Sequence, residues 1–145
     1  MEHIWELTTE SPEQTEAFGE KLAAQLKGGE VIALFGGMGM GKTAFVRGLA
    51  RGLGITDQVS SPTFALVHEY QGRLPLYHFD MYRVNSWDDL YSTGFFDYLD
   101  LGAVLVTEWS ENIEAALPEE AWRITIRPGK RESQRVIQVE GVELS

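Results

Sequence analysis

Apolar and polar positions fall into short strand-like runs and longer helix-like stripes that take turns along the chain. The opening His3-Ile4-Trp5-Glu6-Leu7 alternates and predicts a strand. Ser11-Pro12-Glu13-Gln14 places a capping serine directly before a proline, the usual opening of a helix. Phe18, Leu22 and Leu26 then recur every four residues as one apolar stripe, and Gly28-Gly29 is expected to end that helix. Val31-Ile32-Ala33-Leu34-Phe35 is an unbroken apolar run, which predicts a strand buried on both faces as in a parallel sheet. A glycine-rich turn follows, and a helix over 42–53 carries Phe45, Val46, Leu49 and Leu53 before Gly54.

Two β-rich segments, 65–70 and 74–81, flank Gln71-Gly72-Arg73 and predict a hairpin. Ser86-Trp87-Asp88-Asp89-Leu90 reads as a capped helix start interrupted at Gly94. Ala103–Val106 is a second buried-strand candidate. The segments 122–127 and 135–139 alternate around a turn at Pro128-Gly129 and predict an antiparallel pair. The expected fold is α/β, a single domain over 1–145, with a mixed sheet that is mainly parallel at its centre and flanked by helices.

Gly36-Gly37-Met38-Gly39-Met40-Gly41-Lys42-Thr43 fits G-x-x-x-x-G-K-[ST], the P-loop or Walker A pattern, between a buried strand and an amphipathic helix. Glycines let backbone N–H groups approach phosphate oxygens without a Cβ in the way. The helix N-terminus adds partial positive charge. Lys42, expected at a solvent-facing loop end, can reach the β- and γ-phosphates, and the Thr43 hydroxyl suits Mg²⁺. Guanine-specific P-loop proteins usually carry Asn-Lys-x-Asp. None of the four lysines here (Lys21, Lys27, Lys42, Lys130) follows an asparagine, so ATP or ADP is the expected nucleotide.

A P-loop enzyme also needs a carboxylate near Mg²⁺ at a neighbouring strand end. Asp80 ends Leu76-Tyr77-His78-Phe79, and Glu108 ends Val104-Leu105-Val106-Thr107. The residues alone leave these two candidates open, with room for one to act directly and the other through water. Ser60-Ser61-Pro62-Thr63-Phe64 sits where P-loop switch proteins sense the γ-phosphate, with Thr63 as the hydroxyl. His78 reads first as a core or hydrogen-bonded histidine, with general base as the alternative. Trp109 is a candidate lining of the nucleotide pocket. Arg127, Lys130 and Arg131 form a small basic cluster at the predicted turn.

Composition narrows the classes. The 145 residues include 12 basic and 22 acidic side chains, a net charge of −10. Such a chain is poorly suited to hold nucleic acid alone, because that affinity rests largely on cationic contacts to phosphate. Zero cysteines exclude disulfides, cysteine nucleophiles and thiolate metal sites. No apolar run approaches the roughly 20 residues of a membrane span. The N-terminus lacks the basic region of a signal peptide, so a cytoplasmic protein is expected.

Taken together, the ordered motifs resemble the TsaE (YjeE) family, bacterial P-loop ATPases of tRNA threonylcarbamoyladenosine biosynthesis. The resemblance rests on Ser11-x-x-x-Thr15, on 36–43 with Phe45-Val46-Arg47-Gly48-Leu49, and on 59–64. It continues through Leu74-Pro75-Leu76-Tyr77-His78-Phe79-Asp80-Met81-Tyr82-Arg83 and Thr107-Glu108-Trp109. It implies a P-loop α/β core that binds ATP and ADP with Mg²⁺ and hydrolyses ATP slowly alone. It implies TsaB and TsaD as partners, whose complex transfers threonylcarbamoyl to adenosine 37 of tRNAs reading codons that start with A. The tRNA would then be met only through that complex. Lys42 and Thr43 match the family's phosphate and Mg²⁺ residues, Asp80 its Walker B-like acid, Glu108 the acid near the metal and Trp109 the adjoining aromatic. The segment 60–64 matches the switch-like stretch. The family commonly has Asp, Leu and Ala where this chain has Gly37, Met38 and Met40. Thr9, Ser11 and Arg131 are weaker candidates for the nucleoside side. Two other functions fit the residues: a small-molecule kinase with a lid within 81–98, and a nucleotide-gated binding module in which hydrolysis is incidental.

Overall fold

The computed structural model describes residues 4–36, 41–56, 59 and 67–142. Gly37, Met38, Gly39 and Met40 of the glycine-rich turn, and the 60–64 segment with Thr63, lie outside the described residues.

Seven strands form one sheet: β1 (Ile4–Thr9), β2 (Val31–Phe35), β3 (Val67–Tyr70), β4 (Leu76–Asp80), β5 (Val104–Glu108), β6 (Trp122–Pro128) and β7 (Arg135–Glu140). Their spatial order is β1-β7-β6-β2-β5-β4-β3. The four central strands β6, β2, β5 and β4 run parallel, and antiparallel pairs close both edges. This is the mixed α/β sheet the sequence predicts. The helices are α1 (Pro12–Ala23), α2 (Lys42–Gly52), α3 (Trp87–Ser92) and α4 (Phe95–Tyr98), with a 3₁₀ segment over Ser110–Ala116.

Apolar alternation in the central strands divides the core in two. Ile32 and Leu34 of β2 and Val104 and Val106 of β5 pack with Leu22, Phe45 and Leu49 on the α1/α2 side. Val31, Ala33 and Leu105 pack with Phe79, Leu90, Phe95 and Ile113 on the opposite side. A strand with helices on both faces cannot have a polar face, and this is why β2 reads as a continuous apolar run. Met81, Leu90 and Phe95 are buried in the second core, so the segment considered as a kinase lid is built into the fold.

Helix α1 starts as predicted, with Ser11 Oγ accepting the Gln14 N–H at 3.2 Å. It ends at Ala23, well before Gly28-Gly29. Arg73, in the β3–β4 turn, donates to the carbonyls of Ala23 at 3.0 Å and Leu26 at 3.2 Å. The guanidinium thus takes up carbonyls that a continuing helix would have bonded, while Leu26 still packs into the core. The two helices meet at glycines. A Cβ at Gly48 would collide with the Glu16 backbone, and one at Gly19 with the Phe45 carbonyl oxygen.

Candidate functional site

The carboxyl ends of β2, β4, β5 and β6 converge on one edge of the sheet, where open α/β folds bind ligands. Gly36 leaves β2 with φ 133, a conformation that favours glycine, and a Cβ there would meet the Ile126 carbonyl oxygen at 2.5 Å. Gly41 has φ 96 and opens α2 without a capping side chain. A helix that begins uncapped presents first-turn N–H groups and partial positive charge to whatever lies ahead of it.

Lys42 is buried, not at a solvent-facing loop end as its sequence position suggests. It is 5% exposed. Its Nζ donates to the Gly36 carbonyl at 2.8 Å and lies 4.8 Å from the centre of the Trp109 ring. Among the described residues no carboxylate comes within ion-pair distance of it. The reason for its burial is its position in the first turn of α2, which packs against the sheet and folds the side chain back over the loop it follows. Thr43 is the next residue of the same turn and is half-buried.

Asp80 and Glu108 are register partners at the ends of β4 and β5. Both lie on the α2 side of the sheet, since they share the parity of Leu76 and of Val104 and Val106. Asp80 is half-buried and accepts the Tyr82 N–H at 2.9 Å. Glu108 is buried, and its Oε2 lies 2.5 Å from Nε2 of the fully buried His78. Burial pushes the Glu108 carboxyl up, but the His78 hydrogen bond, the electrostatic pull of the same ring and the Lys42 ammonium together outweigh it and hold the carboxyl below its ordinary range. Glu108 is therefore a carboxylate at neutral pH, and the ring nitrogen facing it carries the hydrogen.

The turn after β5 is held from several sides. Ser110 Oγ donates to the Thr107 carbonyl at 3.0 Å, which leaves the Thr107 hydroxyl to donate to Ser110 Oγ at 2.7 Å. Asn112 Nδ2 donates to the Met81 and Tyr82 carbonyls, and the Met81 N–H donates to the Glu108 carbonyl at 3.0 Å. Trp109 sits between these restraints with φ 58, the only described non-glycine residue with positive φ. Such strain persists where surroundings over-determine the backbone, and it concentrates at functional sites. Its consequence is that the Trp109 ring lies beside Lys42 on one side and edge-on to Tyr82 at 5.0 Å.

Thr9, Ser11 and Arg131 gather at the same sheet edge, where β1 and the β6–β7 turn meet. Each has a structural partner: the Thr9 hydroxyl bonds Thr15 at 2.8 Å, Ser11 caps α1, and Arg131 pairs with Glu10. Arg127 likewise pairs with Glu6 at 3.3 Å. Sequence reasoning missed Glu111, whose carboxylate accepts the Gly36 N–H at 3.2 Å. A strand-end acid followed three residues later by another acid was the available signal, but only the 3₁₀ turn reveals that the second one reaches back to the loop.

The oxygens around the start of α2 and the ends of β2, β4 and β5 come from the Thr43 hydroxyl and the carboxylates of Asp80, Glu108 and Glu111. Among the described residues no three His, Cys, Asp or Glu side chains converge on one point. That sparse oxygen set fits Mg²⁺, which keeps waters and takes phosphate oxygens, better than a metal that needs a protein cage. Among the described residues no helix is long and apolar enough to cross a membrane.

Comparison with known proteins identifies the family and the fold. The family model described as threonylcarbamoyl adenosine biosynthesis protein TsaE matches residues 9–137. The Bacillus subtilis tRNA threonylcarbamoyladenosine biosynthesis protein TsaE is 44% identical over 120 residues, 82% of this chain and 75% of the relative. The Treponema pallidum protein of the same name is 41% identical over 117 residues, 81% of this chain and 87% of the relative. The crystal structure of Bacillus subtilis YdiB superposes with a TM-score of 0.77 at 36% identity, covering 99% of this chain and 88% of that one. With the matched segment running from the end of β1 into β7, and so through every strand end that lines the site, the chain belongs to the TsaE family.

Proposed function

We propose that this protein binds ATP and ADP with Mg²⁺ at 36–43, hydrolyses ATP slowly, and acts in threonylcarbamoyl modification of adenosine 37 in tRNAs reading codons that start with A. It works in the cytoplasm with TsaB and TsaD and does not itself perform the transfer. The relatives' role in tRNA threonylcarbamoyladenosine biosynthesis supports the pathway. The observation that carries the nucleotide reading is Lys42. A buried ammonium at an uncapped helix start, bonded to a neutral carbonyl, is a cation arranged for an anion.

In this reading the Lys42 ammonium and the N–H groups at the start of α2 receive the β- and γ-phosphates. Thr43, Asp80 and Glu108 would hold Mg²⁺, which supplies charge neutralisation on the phosphate oxygens. Glu108, unprotonated and backed by His78, keeps a carboxylate beside the reacting phosphate. The hydrogen bonds that tie β4 to β5 and the 3₁₀ segment fix the backbone that carries both acids. Arg47 and Arg131 are each held by a carboxylate, at the half-buried Glu16 and at Glu10. Arg83, exposed just beyond β4, has no ion pair among the described residues, so the cation that stabilises transition-state charge would be Arg83 or come from a partner, the latter in accord with slow hydrolysis by the chain alone.

Calorimetric titration with ATP and Mg²⁺ tests the site, and a reconstituted tRNA modification assay with TsaB and TsaD tests the role. Saturable ATP binding and modification that depends on this chain are the expected results. No nucleotide binding, or full modification without the chain, would overturn the reading.

A further inference from the structure

His78 is fully buried on β4, on the α2 side of the sheet. Its Nε2 is committed to Glu108 Oε2 at 2.5 Å, and among the described residues Nδ1 has no hydrogen-bond partner. A histidine kept only for packing would be a poor choice here, because an apolar side chain fills the same space without an unsatisfied nitrogen. The ring's single polar contact is the strand-end acid of the neighbouring strand. That acid has several rotatable bonds and no other side-chain hydrogen bond among the described residues.

We propose that His78 is a positioning residue for Glu108, its Nε2–H fixing Oε2 so that Oε1 is the oxygen presented to Mg²⁺ or water at the nucleotide. The role is that of a fixed donor and needs no change of protonation. Outer groups that orient a metal-site carboxylate commonly matter nearly as much as the carboxylate itself. The inference rests on the proposed ATPase reading, and the test separates the two.

The test compares His78→Leu, His78→Gln and His78→Asn, and His78→Leu combined with Glu108→Ala. The glutamine amide reaches the position of Nε2, whereas the asparagine amide does not. His78→Leu and His78→Asn are expected to lower kcat for ATP by about 10–100-fold and to weaken the Mg²⁺ dependence of ADP binding by calorimetry, with KM for ATP little changed. His78→Gln should recover most of the loss. In the Glu108→Ala background His78→Leu should add nothing, because its effect passes through the missing carboxylate. If His78→Leu does not fold, the contrast between glutamine and asparagine still decides. Wild-type kcat and Mg²⁺ dependence in the asparagine variant, or losses that multiply with Glu108→Ala, would overturn the assignment. In the nucleotide-free protein, imidazole nitrogen NMR should show a proton on Nε2 whose resonance moves in Glu108→Ala; a resonance that stays in place also overturns it. Wild-type protein that neither binds nor hydrolyses ATP would instead sink the ATPase reading.

Discussion

Asp80 and Glu108 face each other in register at the ends of β4 and β5, yet they occupy different environments. Glu108 is 7% exposed and bonded to His78, while Asp80 is half-buried and accepts a backbone N–H from its own turn. One acid is built into the interior beside Lys42, and the other stands at the rim. That difference separates environments which position along the chain leaves equal.

Glu108→Gln keeps the shape but loses the charge. It should lower ATP turnover on the order of 100-fold while ATP affinity stays within a few fold, since a charge used in the reaction is missed more in the transition state than in the ground state. Asp80→Asn should cost less in turnover. Steady-state phosphate release with parallel calorimetry checks both. Unchanged tRNA modification by a Glu108→Gln protein that no longer hydrolyses ATP would favour gating by nucleotide binding alone.

Acid should destabilise the fold through the same residue. The Glu108 carboxyl lies below its ordinary value of 4.5 in the folded chain. The carboxylate therefore contributes stability that is fully present above that value and is lost as pH falls through the lower, folded one. Thermal melts from pH 7 down to about pH 3 should show the wild type losing stability relative to Glu108→Gln only below about pH 4.5. Parallel pH profiles for the two proteins would contradict the lowered value.

Much of this was legible in the residues because it depends on local pattern. The buried run 31–35 and the Ser86 cap follow from side-chain periodicity or backbone preference, and the structure places them accordingly, while Pro128, predicted in a turn, is the last residue of β6, paired with Arg135, with the turn beyond it. What escaped depends on partners distant in sequence. Carbonyls at the end of α1 are taken up by Arg73, 47 and 50 positions away, and Lys42 is covered in part by the ring of Trp109, which follows β5. His78 could be read as hydrogen-bonded, but naming Glu108 as its partner requires the β4–β5 register. The Trp109 backbone gives no sequence signal, because its positive φ is imposed by Thr107, Ser110 and Asn112 together.

Gly48 should be intolerant of any side chain. Its Cα faces the Glu16 backbone across the α1–α2 contact, and an added Cβ would meet atoms that cannot rotate aside. Gly48→Ala should cost about 1–3 kcal/mol despite alanine's better helix propensity. Gly54→Ala has open space and only its φ of 75 to oppose it, so it should cost about 1 kcal/mol. Denaturant unfolding of the two variants gives the comparison, and equal midpoints would mean the helices can separate without penalty.

Lys42→Ala should abolish most ATP affinity and leave the chain folded. Charge-assisted hydrogen bonds contribute about 1.5–3 kcal/mol each, which corresponds to a loss of roughly 10–150-fold in Kd. The buried ammonium makes one neutral hydrogen bond in the described structure, so its removal leaves little broken inside the fold. Calorimetry should show the loss and circular dichroism an unchanged helix signal. Wild-type affinity in this variant would remove Lys42 from the site.

Trp109 should report nucleotide directly. Its ring lies 4.8 Å from the Lys42 ammonium, a contact worth roughly 0.5–2 kcal/mol when desolvated. A phosphate that draws Lys42 forward removes the cation from the ring face and changes the field around the indole. Adding ADP with Mg²⁺ should therefore shift the tryptophan emission of the wild type. The shift should vanish in Trp109→Phe and shrink in Lys42→Ala even at nucleotide concentrations that saturate it. Trp5, Trp87 and Trp122 lie on β1, α3 and β6, and Trp109 is the tryptophan against the ammonium among the described residues, so the other three supply the background. A full shift in Trp109→Phe would mean that the signal comes from one of these three and that Lys42 does not move relative to Trp109 when nucleotide binds.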